Sequence, residues 1–591
     1  MLPLLTSFVL AQQSISAPPL PEKSPAPETQ LFLSHPLTSD LDIASGASRL
    51  AEPKNEAAIA AATDNLDSQP PGKSREERPL ATTVADVTGP ESQTTQGKNQ
   101  SAVAPPRRLP APLRELVYPQ EVRPLPGSLD AVPVFNSNSP EVIRKSGILL
   151  STFPPQGKRH PKAHLNFPFQ GRFDIFSHHI VKTDRPRKTP TFYKGILLYN
   201  PSQSKTVTIN VMQAASYLGT PDAPYINLPP IAPNDVGRLF SGPGGRTADQ
   251  VLRGRRQTHW PSRIELKPRQ SKMLANLPVP VPVRTTANND PVWPSRVQPP
   301  VNLTKTSLTA LSPNTPPPDF PSSNTRSTLA RLYASGPVYV ASLAMKAPAR
   351  ANGGEGIPSK QDWESLLLKG ELLEPRDIKP SPLSSKAPKF FYGRVAGVSR
   401  GSKWRSQLTD SAESQQLTVP EPGSGFSYGL SLLNRGTFGT AQIQSAPMLV
   451  RYPDTAYLAH GNYGVHYDLA LPLYNPSSEP RTVTVLLQTP LKDNQAEKGL
   501  RFLRSPSPNV FFRGTVRVSY NDDNNTPTRQ YFHVVQTAGH LGDALVTLTL
   551  KPKEQRLINV DLVYPPDATP PQVLTVKASK TPATFRSTQR P

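Results

Sequence analysis

The sequence contains no cysteine among its 591 residues. Disulfide bonds, zinc–thiolate sites, iron–sulfur clusters and a cysteine nucleophile are therefore excluded together. Long hydrophobic runs are also missing, because no segment approaches the roughly 18 apolar residues of a membrane-spanning helix. Aromatic residues make up only 7% of the chain, and no recognised nucleic-acid-binding module appears. We therefore expect no transmembrane span, no nucleic-acid partner, no metal and no cofactor.

Proline, in contrast, is abundant, with 73 of 591 residues, about 12% against a usual value of about 5%. Its ring fixes φ and removes a backbone donor, so regular helices and central strands reject it. The composition predicts long linkers, many turns and mainly β structure built from short strands.

Positive charge is in excess, with 66 Lys and Arg against 44 Asp and Glu and a net charge of +22. Residues 1–100 hold 7 basic and 12 acidic side chains, so their net charge is −5 and the remainder has +27. A body this basic attracts polyanions such as acidic polysaccharide, anionic lipid or nucleic acid. Ordinary solubility charge is the alternative, because the basic residues are scattered along the chain.

The N-terminal segment 1–17 contains a short apolar run, 2–11, followed by small residues and Gln. This pattern is typical of a secretory signal that is cut near Ala11, although no Lys or Arg precedes the run. A true start further upstream would account for that departure. The next segment, 18–112, is rich in Pro, Ser, Thr and charge, which predicts a disordered spacer. We expect export, to the periplasm or the cell surface.

Two stretches of the chain are nearly the same, "LLYNPSQSKTVTINV" (197–211) and "PLYNPSSEPRTVTVLL" (472–487). Each reads as an apolar strand, an Asn-Pro-Ser turn and a strand of strict alternation. A second pair follows in the same order, "LKPRQSKMLAN" (266–276) and "LKPKEQRLIN" (550–559). The repeated order predicts an internal duplication. We expect two related immunoglobulin-like β-sandwich units, without the Cys…Trp…Cys pattern of antibody domains.

Composition shifts divide the rest of the chain. We predict a first sandwich unit, a Pro-rich loop, a segment of strands with a short helix, a second sandwich unit and a loose basic tail, at 113–285, 286–330, 331–458, 459–570 and 571–591 respectively.

Two short helices are predicted from their capping residues. Ser359 starts one at 359–370, with Asp362 at its third position and Gly370 at its end. Thr247 and Gln250 form a capping box for another at 247–256. The glycine-rich stretch before that helix, "SGPGGRTADQ" (241–250), is interpreted as a loop whose N–H groups could hold an anion.

Several stretches of the chain have a specific wording, among them "LPGSLDAVPVFNSNSPEVI" (125–143), "GILLSTFPPQGKRHPKAHLNFPFQGRFDIFSHHI" (147–180) and "AHGNYGVHYDLALPLYNPS" (459–477). They resemble the DUF3370 family, secreted cyanobacterial proteins that carry a domain of unknown function. The resemblance covers roughly 113–570. It implies a cyanobacterial source and export, and it supplies no catalytic residues.

One motif suggests a hydrolase. "GFSYG" (425–429) matches the G-x-S-x-G nucleophile elbow, in which the serine sits between a strand and a helix. Here prolines precede the motif and a strand-like "LSLLN" follows it, so we favour a glycine-rich entry into a strand.

A histidine cluster suggests a metal site. It contains His160, His164, Asp174, His178 and His179. Pro161 disfavours a regular helix that would aim the first two histidines together, and adjacent histidines in a strand point to opposite faces. We therefore interpret them as polar strand and loop residues.

The basic stretch "RGRRQTHW" (253–260) supplies our candidate polymer-binding residues, Arg253, Arg255, Arg256 and Trp260. The guanidinium groups could pair with acidic groups of a polymer and the indole ring could stack on a sugar. We predict an exported, non-catalytic cell-envelope protein that is structural or binds anionic polysaccharide or another envelope component. The alternative is a hydrolase of envelope carbohydrates or esters with scattered catalytic residues. No catalytic residue is assigned, and the oligomeric state stays open.

Overall fold

The computed structural model describes residues 115–183, 189–281, 283–284, 291–292, 323–374, 376–496 and 498–580. The predicted signal segment and spacer therefore lie outside the described residues. The described chain is mainly β, as predicted, and has two α-helices, α1 (Pro243–Leu252) and α2 (Lys360–Lys369), and one 3-10 helix, Pro161–Ala163. The immunoglobulin-like topology stays a prediction.

The strands fall in chain order as follows: β1 (Glu115–Tyr118), β2 (Glu121–Arg123), β3 (Pro133–Ser137), β4 (Val142–Ile143), β5 (Gly147–Ser151), β6 (Phe169–Lys182), β7 (Phe192–Tyr199), β8 (Val207–Leu218), β9 (Ile231–Pro233), β10 (Arg263–Leu266), β11 (Ser271–Val279), β12 (Val283–Arg284), β13 (Pro291–Val292), β14 (Ser323–Lys346), β15 (Ala396–Arg400), β16 (Lys403–Gln407), β17 (Leu417–Thr418), β18 (Gly425–Leu430), β19 (Ala446–Arg451), β20 (Leu458–Ala459), β21 (His466–Tyr474), β22 (Arg481–Gln488), β23 (Leu500–Leu503), β24 (Val510–Asn521), β25 (Pro527–Thr537), β26 (Ala544–Leu550), β27 (Gln555–Val563) and β28 (Gln572–Ala578).

The first core lies between two layers of strands that share β14. The first half of β14 pairs with β6 and β8, and its second half pairs with β5 and β7. The pairing breaks between Ala334 and Val338, where Gly336 allows a close approach to Val207. Buried side chains of both layers fill the space between them, including Phe173, Ile209, Leu198 and Val340. We call this body the first sandwich.

The second core also lies between two sheets. One sheet has the order β16-β21-β27-β24-β25-β9, with β17 beside β21, and the other has the order β2-β18-β28-β22-β26. Their facing side chains include Leu469, Val518, Val485 and Val576. Strict alternation along β22, with Val483, Val485 and Leu487 buried, places these residues on the inner face. We call this body the second sandwich.

The two sandwiches exchange strands. β2 and β9, from the first part of the chain, lie in the sheets of the second sandwich. β15 and β19, from the later part, extend the first sandwich beyond β3. β14 begins at Ser323, inside the predicted loop 286–330, and β28 is an inner strand although its residues were predicted as tail. The loose tail therefore does not begin at residue 571, because these residues alternate into the core. The other predicted boundaries stay predictions.

The predicted duplication is visible in the strand pairing. β7 pairs with β11 and β8 with β10 in the first sandwich. β21 pairs with β27 and β22 with β26 in the second. All four pairs are antiparallel, so the two repeated sequence stretches build the same four-strand arrangement.

Asn200, in the first Asn-Pro-Ser turn, is fully buried. Its side-chain amide donates to three carbonyl oxygens at 2.8–3.1 Å, those of Lys205, Leu266 and Lys267. Its side-chain oxygen accepts the N–H of Ser202 at 2.9 Å. This one side chain therefore ties the first repeated stretch to the second.

Asn475 makes the same contacts in the second sandwich. It is fully buried, and its amide donates at 2.8–3.1 Å to the carbonyl oxygens of Glu479, Leu550 and Lys551. The N–H of Ser477 donates to its side-chain oxygen at 3.1 Å. Buried carbonyl groups need such partners, which explains why both copies of the turn contain Asn.

Replacing either asparagine tests this joint. Asn200→Ala and Asn475→Ala leave three carbonyl groups without their donor, so we expect each to lower the free energy of unfolding by roughly 2–4 kcal/mol. Urea denaturation measures the change. Asn352→Ala is the control, because Asn352 is exposed and accepts one N–H, that of Gly354. Equal stability of all three variants would contradict the proposed role.

Helix α1 joins the two sandwiches. Ala248 and Leu252 of α1 share a buried cluster with Leu329 of the first sandwich and Val563 of the second. The carboxylate of Asp567 accepts the N–H of Gly245, in the first turn of α1, at 2.9 Å. A loop of the second sandwich thus supplies a hydrogen-bond acceptor for an N–H group at the N-terminus of α1.

The predicted start of α1 was wrong, since the helix begins four residues earlier, at Pro243. Proline at the first helical position needs no N–H partner, which allows a helix in a stretch that otherwise reads as a loop. Thr247 lies inside the helix and donates to the carbonyl of Pro243 at 2.7 Å, so it forms no capping box. The cap predicted for α2 at Ser359 is confirmed, and it is part of a capping box in which the side chains of Ser359 and Asp362 accept each other's N–H groups.

Gly244 tests the joint at α1. A Cβ at this position would overlap Pro566 and crowd the carboxylate of Asp567, so Gly244→Ala should lower the free energy of unfolding by about 1–3 kcal/mol. Thermal unfolding of the whole chain gives the measurement. Gly354→Ala, where the nearest atom belongs to a flexible side chain, should change little. A Gly244→Ala protein as stable as that control would overturn the close packing described.

Candidate functional site

Trp260, one of the four predicted contact residues, is only 2% exposed. It packs in the core of the first sandwich, and its indole N–H donates to the side-chain oxygen of Gln257 at 3.2 Å. The ring therefore stabilises the core and offers no face for stacking on a sugar. This corrects its expected role.

Arg253 is also enclosed, with a side chain that is 4% exposed. Its Nε donates to both carboxylate oxygens of Asp249 at 2.9 and 3.0 Å. Its guanidinium lies over the ring of Tyr531 in the second sandwich, 3.9 Å from the centroid. Arg253 therefore fixes the helix to the second sandwich and is not available to a polymer.

Arg255 and Arg256 remain exposed. Arg256 pairs with Ala214 of β8 in an isolated bridge, and its guanidinium donates to the carbonyl of Val211 at 3.0 Å. This contact fixes Arg256 at the edge of β8. Polymer binding by these two arginines stays a prediction.

The outward face of this sheet presents a row of polar and aromatic side chains that the sequence analysis missed. Across β10, β8, β14 and β6, direct cross-strand partners line up as Arg263, Asn210, Tyr333 and Arg172. Three interstrand spacings of about 4.8 Å make the row roughly 14 Å long. We call these four residues the outward row.

The outward row is open to solvent. Tyr333 is 47% exposed, and the side chains of Arg263 and Arg172 are 61% and 29% exposed. The neighbours along each strand, Leu332 and Ile209, are buried in the core. Alternation therefore fixes which side chains face outward, and it was the signal available in the sequence. Only the strand order, which brings Asn210 beside Tyr333, was missing.

Internal space next to the junction is small. A cavity of about 10 Å³ lies among Asn136, Asp174, Ser402 and Asn462. That volume holds about one water molecule. It is too small for a substrate.

Ser427, the serine of the G-x-S-x-G motif, lies inside β18 and is fully buried. Its hydroxyl is 2.6 Å from that of Thr575 on the neighbouring strand. A nucleophile elbow instead requires a strand-to-helix turn with an exposed hydroxyl. The expected glycine-rich strand entry is confirmed, and the broader hydrolase alternative stays a prediction.

The predicted histidine cluster is dispersed. His178 and His179 are adjacent in β6, so they point to opposite faces. Nδ1 of His178 lies 3.3 Å from the hydroxyl of Ser327. Nε2 of His179 lies 2.9 Å from the hydroxyl of Ser137. They are structural strand residues.

The sequence model of the family "Protein of unknown function (DUF3370)" matches residues 120–578, well over half of the chain. The chain belongs to the DUF3370 family. The match spans all strands from β2 to β28, so it covers both sandwiches and helix α1.

Other comparisons of the DUF3370 chain add little. No curated protein is significantly similar to it. It is similar to the Macrobrachium rosenbergii nodavirus structure at 10% identity and a TM-score of 0.11, over 84% of this chain and 98% of that one. It is similar to the coconut allergen cocosin at 9% identity and a TM-score of 0.10, over 74% and 86%. Scores this low give no basis for an argument about fold or function.

Two absences hold for the described residues of the DUF3370 chain. No three His, Asp or Glu side chains in those ranges are grouped so that they could hold a metal ion. Neither described helix is long and apolar enough to cross a membrane.

Buried histidines make the DUF3370 fold sensitive to acid. Burial lowers the pKa of His178 to about 3, with Lys194 and Arg394 adding to the effect. Burial and Lys492 lower the pKa of His460 to about 3. Since both histidines titrate near 6.5 in the unfolded chain, the unfolded state takes up protons first as pH falls.

Stability should therefore be complete above pH 6.5 and be lost as pH falls below it. Each of these two histidines contributes at most about 2 kcal/mol of loss at pH 5. Urea midpoints at pH 7.5, 6 and 5 measure the trend. His460→Gln should flatten it, whereas His160→Gln, in a partly exposed loop, should not. A midpoint that is constant from pH 7.5 to 5 would contradict this assignment.

Proposed function

We propose that the chain is an exported, non-catalytic protein of the cell envelope that binds an anionic surface polymer along the outward row. The observation that favours this is the alignment of Arg263, Asn210, Tyr333 and Arg172 across four adjacent strands. Two guanidinium groups flank an exposed aromatic ring, and an ion pair with the buried carboxylate of Asp174 holds that of Arg172 in place. Such a row suits an extended polymer with regularly spaced acidic groups.

Charge and shape both support the assignment. Guanidinium groups pair with carboxylates or sulfates in a two-point geometry, and the tyrosine ring supplies an apolar face for a sugar. Exposed Arg256 adds positive charge at the edge of β8, beyond the end of β10. Glu265 pairs with Arg263 at 2.9 Å, but both side chains are more than half exposed, so a polymer can displace this weak pair.

We further infer that each four-strand repeat is a variant of an immunoglobulin-like sandwich unit. Two features of the strand pairing support this. β7 pairs with β11 and β8 with β10, just as β21 pairs with β27 and β22 with β26. In addition, β17 lies parallel to β21. Export to the periplasm or cell surface, from a cyanobacterial source, completes the proposal. It rests on the N-terminal sequence pattern and on the wording shared with the family.

Affinity electrophoresis of the full chain through gels with alginate, a polyuronate, tests the function. Dextran is the neutral comparison. We expect retardation by alginate that weakens steeply with salt, because exposed charges are screened. The double variant Arg256→Gln/Arg263→Gln should lose at least tenfold in affinity, and Tyr333→Ser severalfold.

The matched control is Arg504→Gln/Lys498→Gln, which removes the same charge from exposed positions around β23. It should bind alginate like the parent protein. Equal losses in both double variants would reduce the effect to net charge and overturn the outward row. If alginate does not retard the protein at low salt, the proposal of polymer binding is contradicted.

A further inference from the structure

A groove with a volume of about 570 Å³ lies on the second sandwich, at the tip of the β24–β25 hairpin and beside β27. This volume is in the range of sites that hold a small molecule. The residues that line it are polar, charged and apolar, among them Ser519, Asn521, Arg529, Arg556, Leu557 and Asn559. We call it the hairpin groove.

Strand pairing places the polar groups of the groove in register. Ser519 of β24 is the direct partner of Arg529 on one side and of Asn559 on the other. Val518 and Val560, their neighbours along the strands, are buried in the core. The three polar side chains therefore face outward side by side, about 4.8 Å apart.

Of the three charged residues that line the groove, two form an ion pair with each other. Arg556 donates to Glu554 at 2.9 Å and pairs with Asp523 at 2.5 Å. Arg529 is exposed, and its Nε donates only a long hydrogen bond, 3.4 Å, to the hydroxyl of Ser519. In the described parts of the chain its guanidinium makes no ion pair. Arg529 is therefore ready to receive an anionic group.

The uncharged groups of the groove offer both donors and acceptors. The side chain of Asn521 donates to that of Asn525 at 3.0 Å, which leaves further amide positions open. The side chain of Asn559 is half-buried and makes no hydrogen bond to any described residue. A phosphate or sulfate ion presents acceptors alone, whereas sugar hydroxyls both donate and accept, so amides suit a sugar better.

An apolar side completes the groove. Leu557 is 49% exposed although it lies mid-sheet in register with Pro472. Pro527 lines the same space. The C–H face of a pyranose ring packs on surfaces of this kind, while its hydroxyl edge meets the amides.

We propose that the hairpin groove binds one uronate unit, a pyranose with a carboxylate, with Arg529 pairing with the carboxylate and Asn559 bonding a ring hydroxyl. This deepens the proposed function and rests on its ligand class, but it uses a separate surface. The outward row binds the polymer through charged groups that are spaced along its length. The hairpin groove recognises a single sugar.

Saturation-transfer NMR with the full chain tests the groove, using D-glucuronate, D-glucose and acetate as probes. We expect glucuronate to bind most tightly, glucose more weakly and acetate not at all. Arg529→Gln should weaken glucuronate at least fivefold and leave glucose unchanged. Asn559→Ala should weaken both sugars. Arg504→Gln, at the opposite end of the hairpin, should change neither.

Two results would overturn the proposal. Acetate binding as tightly as glucuronate would reduce the groove to a simple anion contact at Arg529. Absence of glucuronate binding, or binding unchanged by Arg529→Gln and Asn559→Ala, would place the sugar elsewhere. Retardation by alginate that depends on Arg256 and Arg263 would then still support the outward row, so the two proposals fail separately.

Discussion

The bond between Asp567 and the first turn of α1 is the contact on which the relation of the two sandwiches depends. The first N–H groups of a helix have no partner within it, and its N-terminus has a partial positive charge. A carboxylate from the second sandwich satisfies both needs at once. Burial raises the pKa of Asp567, and Arg513 and the helix N–H groups act against that rise. The anion that this glycine-rich stretch could hold is thus supplied by the chain itself.

The remaining contacts of α1 make this bond effective. The Arg253–Asp249 pair lies on one side of the helix and reaches Tyr531. Arg517 pairs with Asp561 at 2.6 Å and extends toward the end of the helix. A helix with ten residues is too short to be stable alone. It persists because both sandwiches bury it, and it holds their outward faces in place.

Local patterns in the sequence predicted local structure well. The two Asn-Pro-Ser turns, the alternation in β22 and the N-cap of α2 follow from neighbouring residues, so they could be recognised directly. The burial of Trp260 could not be predicted, because it depends on a second layer of strands. The outward row joins Asn210 to Tyr333 across more than a hundred residues. No periodicity in one strand reveals its neighbour in the sheet.

Strand exchange has a consequence for the order in which the protein can fold. β2 needs β18 as its partner, and β18 in turn needs β28, near the end of the described chain. The second sandwich therefore closes only after β28 has been synthesised. Such high contact order makes folding slow. Until β28 is made, one edge of β18 stays unpaired and open to association with other chains.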